Sequence, residues 1–91
     1  MNTTERFALN SQVAWRDLDG HIFAVTPDNR QHELSGAVEH AVWHELAENA
    51  MTLAELVAFI TASFEVEATE ATSDLREFLD ACLVADLFRA T

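Results

Sequence analysis

Val13-Ala14-Trp15-Arg16-Asp17-Leu18, then Asp19-Gly20, then His21-Ile22-Phe23-Ala24-Val25 reads as two strands joined by a two-residue turn. Asp-Gly supplies the two positive φ angles of a type I′ turn, whose twist matches that of the strands it joins. With that loop length Leu18, Phe23 and Val25 share one sheet face while Trp15, Ile22 and Ala24 share the other, so neither face is polar. One face is expected to pack on helices and the other to need a cover. Phe7 and Leu9 are expected to provide it, with a partner chain as the alternative. Pro27-Asp28-Asn29-Arg30 marks a second turn, proline presetting φ at its first corner and Asn tolerating a left-handed backbone. A third strand, Gln31 to Leu34, follows.

Beyond Leu34 the apolar period changes from two to between three and four. Ser35 reads as the N-cap of a first helix carrying Val38, Ala41, Val42, Trp43 and Leu46 and ending near Ala47. Thr52 with Glu55 forms a capping box, and Leu53, Leu56, Val57, Ile60 and Phe64 make the stripe of a second helix. A polar connector rich in Thr, Ala and Glu then leads to a third helix, which starts between Thr69 and Asp74 and runs to about Val84. Its apolar stripe is Ala71, Leu75, Phe78, Leu79, Cys82 and Leu83. Leu87-Phe88 ends the chain as apolar anchors. Three short strands and three helices cannot bury either set alone, so the expected fold is a small α+β, winged-helix-like domain spanning residues 1–91, with residues 1–7 flexible.

The 91 residues are 49% apolar and hold one cysteine, Cys82, which excludes an intramolecular disulfide framework and reads as a buried thiol. No signal-peptide run and no stretch of eighteen apolar residues occurs, so a cytoplasmic protein without a membrane segment is expected. A net charge of −11 repels phosphate backbones and attracts cationic partners. The second and third helices match a helix-turn-helix in order, but Asp74, Glu77 and Asp80 outweigh Arg76 on the would-be recognition helix, so no nucleic-acid partner is expected.

Few constellations suggest chemistry. His40 and His44 stand four apart on one helix face, a spacing suited to a shared metal, with His32 or Glu39 as candidate further ligands. Without a Cys pair or a His-Glu-x-x-His motif they read as solvent-facing, and no metal or cofactor is expected. Asp17 and Asp19 read as turn residues rather than an acid and base pair. There is no phosphate-binding glycine loop and no nucleophile motif, so the chain is not expected to be an enzyme.

Leu9-Asn10, the hairpin from Val13 to Gly20, Leu34-Ser35, Val42-Trp43, Leu46, Thr52 to Leu56, Val66, Asp74 to Leu79 and Leu83 fall in an order that resembles the PqqD family, the RiPP recognition elements. The likeness runs from about residue 8 to residue 88. It implies a non-catalytic domain that binds the leader segment of a ribosomally made precursor peptide and presents it to a modifying enzyme such as a radical SAM enzyme, a cyclase or a protease. The leader would add as a strand beside Gln31, His32, Glu33 and Leu34, over a groove floored by Leu75, Phe78, Leu79 and Cys82 with Asp74 at its rim. Gln31-His32-Glu33 replaces the aromatic residue and glycine often found there, so no particular leader is implied. With Glu33, Asp74 and Glu77 lining the groove, a leader bearing Lys or Arg is expected. The alternative is an interaction or regulatory domain of the same fold, acting through a homodimer or a protein partner.

Overall fold

Asp19 and Gly20 take φ of 54° and 83°, as a type I′ turn requires, and join β2 (Ala14–Leu18) to β3 (His21–Val25) in antiparallel register, Leu18 opposite His21. The computed structural model describes residues 4–91. At the second turn the Asn29 N–H donates to the Thr26 carbonyl at 2.8 Å, and Asn29 takes φ of 67°. The Thr26 hydroxyl donates to Asp28 inside it. This turn brings β4 (Gln31–Leu34) beside β3, giving a three-stranded antiparallel sheet of order β2-β3-β4.

Three helices follow: α1 (Ala37–Glu48), α2 (Leu53–Ser63) and α3 (Ala68–Val84). The capping box at Thr52 is formed, with the Glu55 N–H donating to Thr52 Oγ1 and the Thr52 N–H to Glu55 Oε1. Helix α1 is capped by Gly36 rather than Ser35. A Cβ on Gly36 would stand 2.5 Å from Glu39 Oε1, so its bareness lets the Glu39 side chain fold back over the helix start. Helix α3 begins earlier than the sequence suggests, because Ala68, Glu70 and Ala71 are good helix formers and Ala71 is buried.

A second sheet escapes sequence reading. Strand β1 (Arg6–Leu9) lies between β5 (Met51–Thr52) and β6 (Phe88–Ala90), both antiparallel to it. Phe7 and Phe88 are fully buried. Thus Arg6 and Phe7 are strand residues and not part of a flexible segment; the rest of that expectation falls partly on residues 1–3, outside the described residues. Phe7 also does not cover the outer face of the hairpin. It sits in the common core, and Leu18 and Phe23 remain 51% and 41% exposed.

Trp43 is the hub of that core. Its ring lies 5.5 Å from Phe88 and 5.8 Å from Trp15, and Phe88 meets Phe78 edge-on at 5.6 Å. Ile22 and Ala24 from the hairpin, Leu56 and Ile60 from α2, and Leu75 and Leu79 from α3 join the same cluster. Buried Asn10 locks the hairpin to the C-terminal end: its N–H donates to the Leu87 carbonyl and its side-chain amide to the Asp86 carbonyl, both at 2.9 Å. The fold is therefore a small α+β domain, a three-stranded antiparallel sheet followed by three helices, with a short sheet closing the chain ends.

Candidate functional site

β4 pairs with β3 on one side only, and among the described residues no strand lies on its other side. Which of its groups face outward follows from the register. The Thr26 N–H donates to the Arg30 carbonyl at 3.0 Å, so Thr26 and Arg30 form a bonded pair. Ala24 with His32 and Ile22 with Leu34 are the next pairs of that kind. The N–H and C=O groups of Gln31 and Glu33 therefore point away from the sheet, a short row of free main-chain donors and acceptors.

Side chains alternate the other way. His32 and Leu34 share the inner face with Ile22 and Ala24, and both are half-buried. His32 Nε2 is shut off from solvent without a hydrogen-bond partner. Glu33 and Gln31 share the outer face with Phe23 and Val25, and Glu33 pairs with His21 Nδ1 at 2.9 Å. Glu33 is thus on the far side of the strand from the groove it was expected to line.

The groove itself, of about 420 Å³, runs between α1 and α3 and is lined by Val38, Glu39, Asp74, Leu75, Glu77 and Phe78. Val38 and Glu39 come four and five residues after Leu34, which tethers the α1 wall to the end of β4. Leu75 and Phe78 supply an apolar floor and three carboxylates ring it. Of the floor residues expected from sequence, Leu79 and Cys82 do not line the groove and lie in the core; Leu75 lines it but is just as closed to solvent, which leaves half-buried Phe78 and Val38 as its exposed apolar surface. Burial, with the Glu39 charge as a lesser cause, pushes the Cys82 thiol up to about 12, which keeps it neutral and unreactive. Val38 and Glu39 were missed because the first-helix stripe was read only as core, although Glu39 at a helix start next to a free strand end is the available signal.

A separate cluster sits on β2, at the opposite edge of the sheet. The Nε2 atoms of His40 and His44 both lie 2.7 Å from Asp17 Oδ2. Hydrogen bonds from His44 and then His40 hold the Asp17 carboxyl below its ordinary value of 3.8. These histidines are therefore engaged rather than solvent-facing, and Asp17 is more than a turn residue. Asp19, by contrast, is one. Among the described residues this is the one trio of His, Cys, Asp or Glu whose ligand atoms converge closely enough to hold a metal.

The family sequence model described as Coenzyme PQQ synthesis protein D (PqqD) matches residues 37–87, more than half of the chain. The chain belongs to the PqqD family. Its fold is also that of a solved structure titled "TbiB1 in Complex with the TbiA(beta) Leader Peptide", with a TM-score of 0.81 and 24% identity over 90% of this chain and 94% of that one. No curated protein matches. The PqqD match covers all three helices, the two walls of the acidic groove included, while β1 to β4 lie before it. No helix among the described residues is long and apolar enough to cross a membrane.

Proposed function

We propose that this PqqD-family domain is a non-catalytic binding module for the leader segment of a ribosomally made precursor peptide, which it presents to a modifying enzyme in the cytoplasm. The single observation that carries this reading is the free edge of β4, whose chain leads within a few residues into the α1 wall of an acidic, apolar-floored groove. An extended peptide laid against β4 would exchange main-chain hydrogen bonds with Gln31 and Glu33, which gives affinity for almost any sequence. Alternate side chains would then drop towards Leu75, Phe78 and Val38, which gives selectivity. TbiB1, whose fold this chain shares, was solved with a leader peptide.

Glu39, Asp74 and Glu77 favour a leader with Lys or Arg near its docking segment. The acidic rim acts mainly on association rate and salt dependence, whereas the strand bonds and apolar pockets set the residence time. The homodimer or regulatory alternative calls for the β4 edge to be covered by the chain's own ends or by another copy. Here the C-terminal strand pairs with β1 instead, and Arg6 and Thr91 exchange main-chain bonds at 3.0 and 2.9 Å.

The test is titration of the chain with leader segments of short precursor peptides encoded beside it, followed by calorimetry. Saturable one-to-one binding that weakens in a folded Glu33→Pro variant supports the proposal. Unchanged affinity in that variant would remove β4 as the site.

A further inference from the structure

We propose that Asp17, His40 and His44 form a binding site for a divalent transition metal, best suited to zinc, that staples β2 to α1. Two imidazoles from successive turns of one helix and a carboxylate from a neighbouring strand aim three donor atoms at one point, and all lie within 4.8 Å of one another. Both Nε2 atoms stand 2.7 Å from the same oxygen, Asp17 Oδ2, and the imidazole rings are 4.7 Å apart. Zinc bonds of about 2.0–2.1 Å at tetrahedral angles place donor atoms about 3.3 Å apart. The carboxylate and each imidazole would therefore separate by roughly half an ångström, and the two Nε2 atoms, within 4.8 Å of each other, would settle at the same spacing, movements within side-chain torsional freedom.

The chemistry of the donors agrees with the geometry. Imidazole nitrogen and carboxylate oxygen suit zinc and its first-row neighbours, and the absence of a thiolate leaves the site without a preference for the softest ions. Three protein ligands leave a fourth position for water or for a donor from another molecule. The side chains are partly exposed, so an ion can enter from solvent, and the net charge of −11 favours its approach. Trp15 packs edge-on against His44 with ring centroids 5.5 Å apart, which holds that imidazole in orientation. Without metal the same groups remain a hydrogen-bonded clasp, since one carboxylate oxygen accepts two donors.

This site is independent of the peptide edge. It lies on β2, and β4 is at the other side of the sheet, so zinc loading leaves the main-chain groups of Gln31 and Glu33 free. The site shares α1 with the groove wall, His40 directly following Glu39, but a result on metal does not test strand addition at β4.

The experiment uses the full chain, titrated with zinc chloride by calorimetry and with cobalt(II) by intrinsic fluorescence, in which Trp15 reports on its neighbour His44. One zinc per chain is expected, with tryptophan emission, from Trp15 and its neighbour Trp43, quenched by cobalt over the same stoichiometry. Asp17→Asn, His40→Gln and His44→Gln are each expected to weaken zinc at least tenfold. His21→Gln and His32→Gln, outside the cluster, are expected to change it less than twofold. Should a cluster variant lose its fold, the wild-type imidazole nitrogen spectrum decides alone: zinc must shift Nε2 of both His40 and His44. No saturable uptake by the wild-type chain at 100 μM zinc, or uptake that survives all three cluster substitutions, would overturn the site and leave a metal-free clasp.

Discussion

In the sheet β2-β3-β4 every strand pairs with its neighbour in sequence, whereas the sheet β5-β1-β6 gathers residues 6–9, 51–52 and 88–90 from both ends and the middle of the chain. The first sheet is local, cheap in loop entropy, and leaves long edges and an apolar outer face open. The second is non-local, has edges of only two and three residues, and sends Phe7 and Phe88 into the centre of the core. The division of labour follows: the closing sheet ties the ends of the chain into the core, and the open sheet keeps the unpaired edge of β4 on which the proposed strand addition rests.

The largest effect should come from breaking the closing sheet. Phe88→Ala, or Phe7→Ala, is expected to cost about 3–5 kcal/mol in urea unfolding, because each leaves a large cavity against Trp43 and its neighbours. Phe23→Ala, on the open outer face, is expected to cost under about 1 kcal/mol, since its ring is already exposed to solvent and the change leaves no cavity. Equal losses for Phe88 and Phe23 would abolish the contrast between the sheets.

Next comes a comparison inside β4 itself. His32→Pro removes an N–H that bonds to β3 and should destabilise the sheet, while Glu33→Pro removes one that points outward and should leave the melting curve close to wild type. Leader affinity should fall about tenfold in Glu33→Pro, the loss expected for one main-chain bond. If Glu33→Pro unfolds the chain and His32→Pro does not, the register argument is inverted.

A smaller effect is expected at the rim. Neutralising Glu39, Asp74 and Glu77 together by amide substitution should flatten the salt dependence of leader binding while changing its high-salt affinity little. A basic leader whose wild-type binding is insensitive to salt would remove the electrostatic part of the account.

The smallest effect belongs to Glu55, which ties β5 and α2 to β1 through the Thr52 N–H and Arg6. The backbone hydrogen bond from Thr52, with Arg6 as a lesser cause, lowers its pKa from the ordinary 4.5. A lowered carboxylate pKa contributes stability that is complete above 4.5 and lost as pH falls through the folded value. Glu55→Gln should therefore be slightly less stable than wild type at pH 7, and the gap should close as the pH falls below 4.5. A gap that persists at pH 2 would assign it to packing.

What was legible in the sequence divides along the same line. The hairpin announced itself through Asp19-Gly20, and α2 through Thr52 and Glu55, because turns and caps are set by residues close in sequence. The strand Arg6–Leu9 was not legible, since its partners lie 44 to 83 residues away and two of the three strands are too short for an alternating pattern. The same reasoning covers the site. Helical spacing marked Leu75 and Phe78 as part of an apolar stripe and only the family resemblance made them a groove floor, while the inside or outside placement of Glu33 depended on strand register. The Asp17 partnership with His40 and His44 joins a strand to a helix across the β4 connection, and no local signal marks it.

Hydrogen exchange at the β4 amides, free and with a saturating leader segment, separates a peptide paired on this edge from one bound elsewhere. His32 and Leu34 are expected to be protected in both states, and Gln31 and Glu33 to gain protection only with the leader bound. Saturating leader binding that leaves the Gln31 and Glu33 amides exchanging as in the free chain would contradict strand addition at β4.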